Sequence, residues 1–122
     1  MELTREKALE LHYQMWGDMQ NDLGDNPEPA LRAKYKEEWI KKNYAGEDKD
    51  VDVLFNCFLC EFASRSFYGT IKCWGCPINW DSLTVEGKGY CFEPYKGGGT
   101  EDAIYLDAPI SEILALPERK DI

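Results

Sequence analysis

Between Thr4 and Leu23, apolar residues recur at intervals of three and four. They are Ala8, Leu9, Met15, Trp16, Met19 and Leu23, with His12 among them, and Glu6, Glu10, Gln14 and Asp18 fall on the other side. That period predicts an amphipathic helix. Thr4 is the expected N-cap, and Gly24 suits a left-handed position after the last turn. Asp25-Asn26-Pro27-Glu28-Pro29 reads as a turn. A second helix is predicted from about Pro29 to Tyr44, with Leu31, Tyr35 and Trp39 as its apolar stripe, widened by Ala33, Ile40 and Tyr44. Lys34, Lys36, Lys41 and Lys42 mix with Glu37 and Glu38 on the side assigned to solvent. Two such helices joined by a short turn imply an antiparallel hairpin.

Glu47-Asp48-Lys49-Asp50 is a polar linker. Beyond it the apolar residues come in short clusters: Val51, Val53, Leu54 and Phe55, then Phe67, Tyr68 and Ile71. Short strands or turns are expected there. Gly97-Gly98-Gly99 reads as a flexible break, since no Lys-Ser or Lys-Thr follows it to make a phosphate loop. A last helix is predicted over 100–116, capped by Thr100, split or kinked by Pro109 and ended by Pro117. The expected class is mainly α, with α+β as the alternative. It consists of a helix hairpin over 1–46, a small double-knuckle module over 51–95, and a kinked C-terminal helix over 100–117 packing on the rest as one compact domain.

Cysteine spacing changes the picture of the middle third. Cys57-Phe58-Leu59-Cys60 and Cys73-Trp74-Gly75-Cys76 are two Cys-x-x-Cys knuckles twelve residues apart, and Cys91 follows fourteen residues later. A short turn points both sulfurs of such a pair at one small ion, and two turns together supply the four thiolates that zinc favours. The spacing predicts one structural zinc per chain, bound by Cys57, Cys60, Cys73 and Cys76. Cys91 is the alternative ligand, in place of Cys73 or Cys76, or else a buried thiol. A disulfide framework fits poorly: the cysteine count is odd, and the charged opening Met1-Glu2-Leu3-Thr4-Arg5-Glu6-Lys7 lacks an apolar h-region. A redox site would call for a single Cys-x-x-Cys in a βαβ setting. His12, the only histidine, is expected to be a satisfied core residue rather than a ligand.

Charge then narrows the partners. The chain has 122 residues with 23 acids against 14 bases, a net charge of −9. Four thiolates and a divalent ion would carry the loaded protein to about −11. This opposes nonspecific nucleic-acid binding, which depends on neutralising phosphates with Lys and Arg. It suits a protein partner with a basic surface. No apolar run approaches the roughly 18 residues of a membrane span, so no membrane role is expected. No Ser/His/Asp set, nucleotide loop or His-Glu-x-x-His motif suggests an enzyme, and a four-thiolate zinc has no open position for water.

The opening Thr4-Arg5-Glu6-Lys7-Ala8-Leu9-Glu10-Leu11-His12 followed by Met15-Trp16 resembles the first helix of small zinc-binding proteins encoded by phages and mobile elements of Gram-positive bacteria. Cys57 to Ala63 and Cys73 to Trp80 resemble their two knuckles, Cys91 matches a further cysteine, and Ile113 to Arg119 resembles their closing helix. The resemblance touches nearly the whole chain. It implies zinc binding and phage origin, with no established activity to carry over; cysteines that must stay thiolates then point to the reducing cytoplasm of a bacterial host. Small phage proteins of this kind are often inhibitors of host defence, anti-CRISPR proteins included.

The expected function is therefore non-catalytic inhibition of a host protein through its basic, nucleic-acid-binding surface. Asp18, Asp22, Asp25 and Glu28, with Glu47, Asp48, Asp50 and Asp52, are the candidate contacts, set where phosphates would lie; the alternative is solvated helix ends and linkers. The competing function is a nucleic-acid-binding zinc ribbon, using Arg65, Lys72 and Lys88 with Phe67, Tyr68, Trp74 and Tyr90.

Overall fold

Thr4 starts the first helix as its sequence suggests. Its Oγ1 accepts the Lys7 N–H at 3.1 Å, which satisfies one of the donors that a helix start leaves open. The computed structural model describes residues 4–44, 76–85, 91, 94–99, 101 and 103–118. Within them α1 spans Arg5–Leu23 and buries Ala8, Leu9, Leu11, His12, Met15, Trp16 and Met19 along one face. Gly24 closes α1 with its N–H on the Gln20 carbonyl. Its φ of 88° is positive as expected, but its ψ of −176° is extended, not left-handed helical, and the chain leaves the helix at once. That backbone strongly favours glycine.

Helix α2 spans Pro29–Asn43, with Pro29 in the first turn, where its missing N–H costs nothing. Its buried residues are Arg32, Lys36, Trp39 and Ile40. The expected stripe is corrected here. Leu31 is 46% exposed and Ala33 is exposed, while Tyr35 and Tyr44 are only half-buried. Lys36, assigned to the solvated side, lies inside. The helix has turned its face toward two cations, because each finds neighbours in the interior for its charge and lends a long apolar stem to the core. Trp39 Nε1 donates to Asp18 at 2.8 Å and Tyr35 Oη donates to Asp22 at 2.6 Å, so successive contacts climb α2 while descending α1.

The C-terminal segment breaks where Pro109 predicts. Helix α3 (Ile104–Asp107) and helix α4 (Ile110–Leu114) are separated by Ala108, which is extended at φ −75° and ψ 147°, as a residue before proline prefers. The start is later than expected: Ala103 occupies the cap position of α3, and Thr100 lies outside the described residues. The Asp107 carboxylate reaches back to accept the N–H groups of Glu101 and Ala103. Gly99 lies so close to that carboxyl that a Cβ there would collide with it, so this glycine permits close approach where the sequence suggested only a flexible break.

Residues 76–85 cross the core between these parts. Ile78 forms an isolated antiparallel bridge with Glu118, and the Asn79 N–H donates to the Pro117 carbonyl. After a 3₁₀ turn at Asp81–Leu83, Thr84 bridges Tyr95. Tyr95 Oη in turn donates to Glu112 at 2.6 Å, tying that loop to α4; the hydrogen bond to Glu112, with burial and the negative charge, pushes the phenol up to about 12. Helix α1 packs against α2 and α4, and α2 against α3. Met15, Trp16 and Met19 meet Ile78, Trp80, Ile104, Ile110 and Ile113 in one buried cluster. The described residues are thus mainly helical, joined by bridges rather than by strands. None of their helices is long and apolar enough to cross a membrane. The linker at 47–50 and most of the region 51–95 lie outside the described residues.

Candidate metal ligands and an acidic groove

Of the five cysteines, Cys76 and Cys91 lie within the described residues, whereas Cys57, Cys60 and Cys73 lie outside them. Cys76 is 9% exposed and belongs to the core cluster. It is held there because Pro77 and Ile78, which follow it, are buried and Ile78 pairs with Glu118. Cys91 is half-buried against the same core, and its carbonyl accepts the Tyr105 N–H at 3.3 Å. Among the described residues no group of three or more His, Cys, Asp or Glu side chains is arranged to hold a metal ion. His12 is in the core at 2% exposure, ringed edge-on by Tyr13, Trp16 and Trp80, but its Nε2 has no hydrogen-bond partner, so it is not the satisfied core residue expected.

The acidic residues expected as candidate contacts sit in different surroundings. Asp25 is committed to the fold. Its Oδ1 accepts from Gln20 at 3.0 Å and from the Ser111 N–H at 2.7 Å, its Oδ2 accepts the Ser111 hydroxyl at 2.9 Å, and its carbonyl accepts the Ile110 N–H. Pro109, at the cap position of α4, makes no side-chain cap bond, so Asp25 caps that helix from 86 residues away. Burial works against ionising Asp25, but the bonds from Ser111 and Gln20 and the charge of Arg32 outweigh it and hold the carboxyl below its ordinary range. Glu28 is exposed at the start of α2 and makes no cap bond. Glu47, Asp48, Asp50 and Asp52 lie outside the described residues.

Asp18 and Asp22 do open onto a shared feature. An open groove of about 250 Å³ runs between α1 and α2, lined by Asp18, Asp22, Tyr35, Glu38, Trp39, Lys42 and Asn43. Each aspartate gives one oxygen to an aromatic donor, Asp18 to Trp39 and Asp22 to Tyr35. Burial, then the bond to Asp22 and the charges of Asp22 and Asp18, raise the Tyr35 phenol well above its ordinary range, so it stays protonated and donating. Three carboxylates against one ammonium leave the groove negative. No protein family, curated protein or solved structure matches this chain.

Sequence reasoning missed Glu38 as a groove residue, because the assigned stripe placed it with the solvated charges. It also missed the buried cations. Arg32, 2% exposed, donates from Nε to the Pro27 carbonyl at 2.9 Å and from Nη1 to the carbonyls of Ala108 at 2.6 Å and Tyr105 at 3.4 Å. It stitches the turn before α2 to the break after α3. Lys36, 6% exposed, holds Nζ over the rings of Trp16 and Tyr105, at 5.5 and 5.2 Å from their centroids. One signal pointed to them: positions 32 and 36 share a helix face with Trp39, the one tryptophan of α2.

Proposed function

We propose that this chain is a small acidic zinc-binding protein that acts by binding another protein, as an inhibitor that covers the basic, nucleic-acid-binding surface of a host defence enzyme. The observation that carries this reading is the negative groove between α1 and α2, lined by Asp18, Asp22 and Glu38, with Asp22 on the Tyr35 hydroxyl and Asp18 on the Trp39 indole. Aromatic side chains beside carboxylates suit arginine or lysine side chains, which stack and pair at once. The net charge of −9 favours the same class of partner and steers it in from a distance. The hairpin sense of α1 and α2, supported by the paired contacts of residues 18 with 39 and 22 with 35, forms the groove.

Zinc is a structural part of this reading. Cys57, Cys60, Cys73 and Cys76 would hold one ion, with Cys91 as the alternative ligand. Cys76, seated in the core, supports it by offering a soft donor that would tie the metal module to the helices. Elemental analysis of protein purified under reducing conditions tests this part: one zinc per chain is expected, and metal-free protein overturns it.

Affinity capture from defence-bearing bacterial cells, followed by competition with DNA or RNA, tests the binding part. The captured enzyme should lose nucleic acid as the inhibitor is added. Association should slow as salt rises, because charge steering is screened over about 8 Å at physiological ionic strength. Glu38→Lys, which leaves the bonds of Asp18 and Asp22 untouched, should slow it further. Unchanged association of Glu38→Lys removes the groove as the contact. Tight, salt-sensitive binding of the isolated protein to nucleic acid would replace this reading with the zinc ribbon.

A further inference from the structure

His12 is the one histidine of the chain and lies at the centre of its described core, 2% exposed. Its Nε2 is buried with no hydrogen-bond partner. Each element around it withholds what an imidazolium would need. From α1 come Tyr13 and Trp16, with ring centroids 5.2 and 6.5 Å from that of His12. From the segment 76–85 comes Trp80 at 6.3 Å, whose own Nε1 is also buried and unpartnered. From α2 comes Lys36, a second cation, fixed over Trp16. Helix α4 adds the apolar Ile110 and Ile113 to the core, and its Glu112 accepts from Tyr95 instead. Among the described residues, a buried imidazolium here would face a like charge, aromatic edges and no carboxylate bond.

We propose that His12 is an acid-sensitive latch: as the neutral ring it locks α1 against the 76–85 segment through Trp80, and its protonation releases them. Burial first, and the charge of Lys36 second, lower its pKa from 6.5 to about 3. The folded ring therefore binds a proton less tightly than the unfolded one. Its contribution to stability is complete above about pH 6.5 and is lost as pH falls from there toward 3. Between pH 7 and pH 5 the folding equilibrium should weaken by about 25-fold through this one group.

Urea unfolding of the full chain at both pH values, for the wild type and for His12→Gln, reads that change. Other titrating groups contribute equally to both proteins. The wild type should lose about 25-fold more than the variant between pH 7 and pH 5, and equal losses overturn the latch. If His12→Gln does not fold, proton NMR of the wild type decides, since the single histidine gives one unambiguous imidazole signal. That signal should not titrate in the folded protein between pH 8 and pH 4.5, and a midpoint near 6.5 overturns the proposal.

Discussion

Helices α1 and α2 look alike as sequences and bury opposite chemistry. Both are amphipathic by pattern, and both pack against the same core. Helix α1 turns in alanine, leucine, methionine and tryptophan, with a neutral histidine at the centre. Helix α2 turns in Arg32 and Lys36 beside Trp39 and Ile40, and leaves Leu31 in solvent. Apolar area explains the first helix. For the second, what counts is whether an interior group meets a charge. Backbone carbonyls at the ends of two short segments meet Arg32, and two aromatic faces meet Lys36. The same rotation has a consequence on the outside. With two cations drawn inward, the groove keeps Asp18, Asp22 and Glu38 against Lys42 alone.

The largest effect is expected at Arg32. Arg32→Ala should destabilise the chain by about 3 kcal/mol, because the buried carbonyls of Pro27 and Ala108 lose a charged donor and the turn before α2 loses its tie to the break after α3. Chemical denaturation at pH 7 measures it, and a loss comparable to an ordinary surface change would mean that the guanidinium is not the stitch. Asp25→Ala comes next, at about 1–2 kcal/mol, since it uncaps α4 and frees the turn. For that reason a triple charge reversal of Asp18, Asp22 and Asp25 would confound binding with folding, and Glu38 is the cleaner position.

Lys36→Met tests the second buried cation. The stem stays and the charge goes, so the change should cost less than about 1 kcal/mol, and a small gain would fit the general behaviour of buried ions replaced by apolar residues of similar shape. The smallest effect belongs to Leu31→Ala, expected within about 0.5 kcal/mol because that side chain is largely in water. A Leu31 loss larger than that of Arg32 would restore the stripe that periodicity alone suggests.

Local rules made part of this fold legible. Thr4 as cap, the three-and-four spacing of α1 and the break at Pro109 each depend on neighbours a few residues away, and each stands in the structure. The face of α2 was not legible, because a polarity pattern sends every Lys and Arg outward unless the surrounding carbonyls and rings are known. Nor was Asp25, whose partner Ser111 is 86 residues distant and sits beside a proline that gives the helix no cap of its own. At the candidate site, the two aspartates of the groove were visible as acids, but their engagement with Tyr35 and Trp39 depends on the register of two helices. The cysteine spacing remains the clearest chemical signal in the chain, with Cys76 and Cys91 seated against the core.

Helix α2 hides cations while the groove beside it stays negative. Amine labelling of the native protein, read residue by residue by mass spectrometry, tests it most directly. Lys34, Lys41 and Lys42 are on exposed positions of the same helix as Lys36 and serve as internal standards. Lys36 should remain unlabelled while these three react, and should react with them once the chain is unfolded in urea. Labelling of Lys36 at the rate of its exposed neighbours in the folded protein would contradict the account.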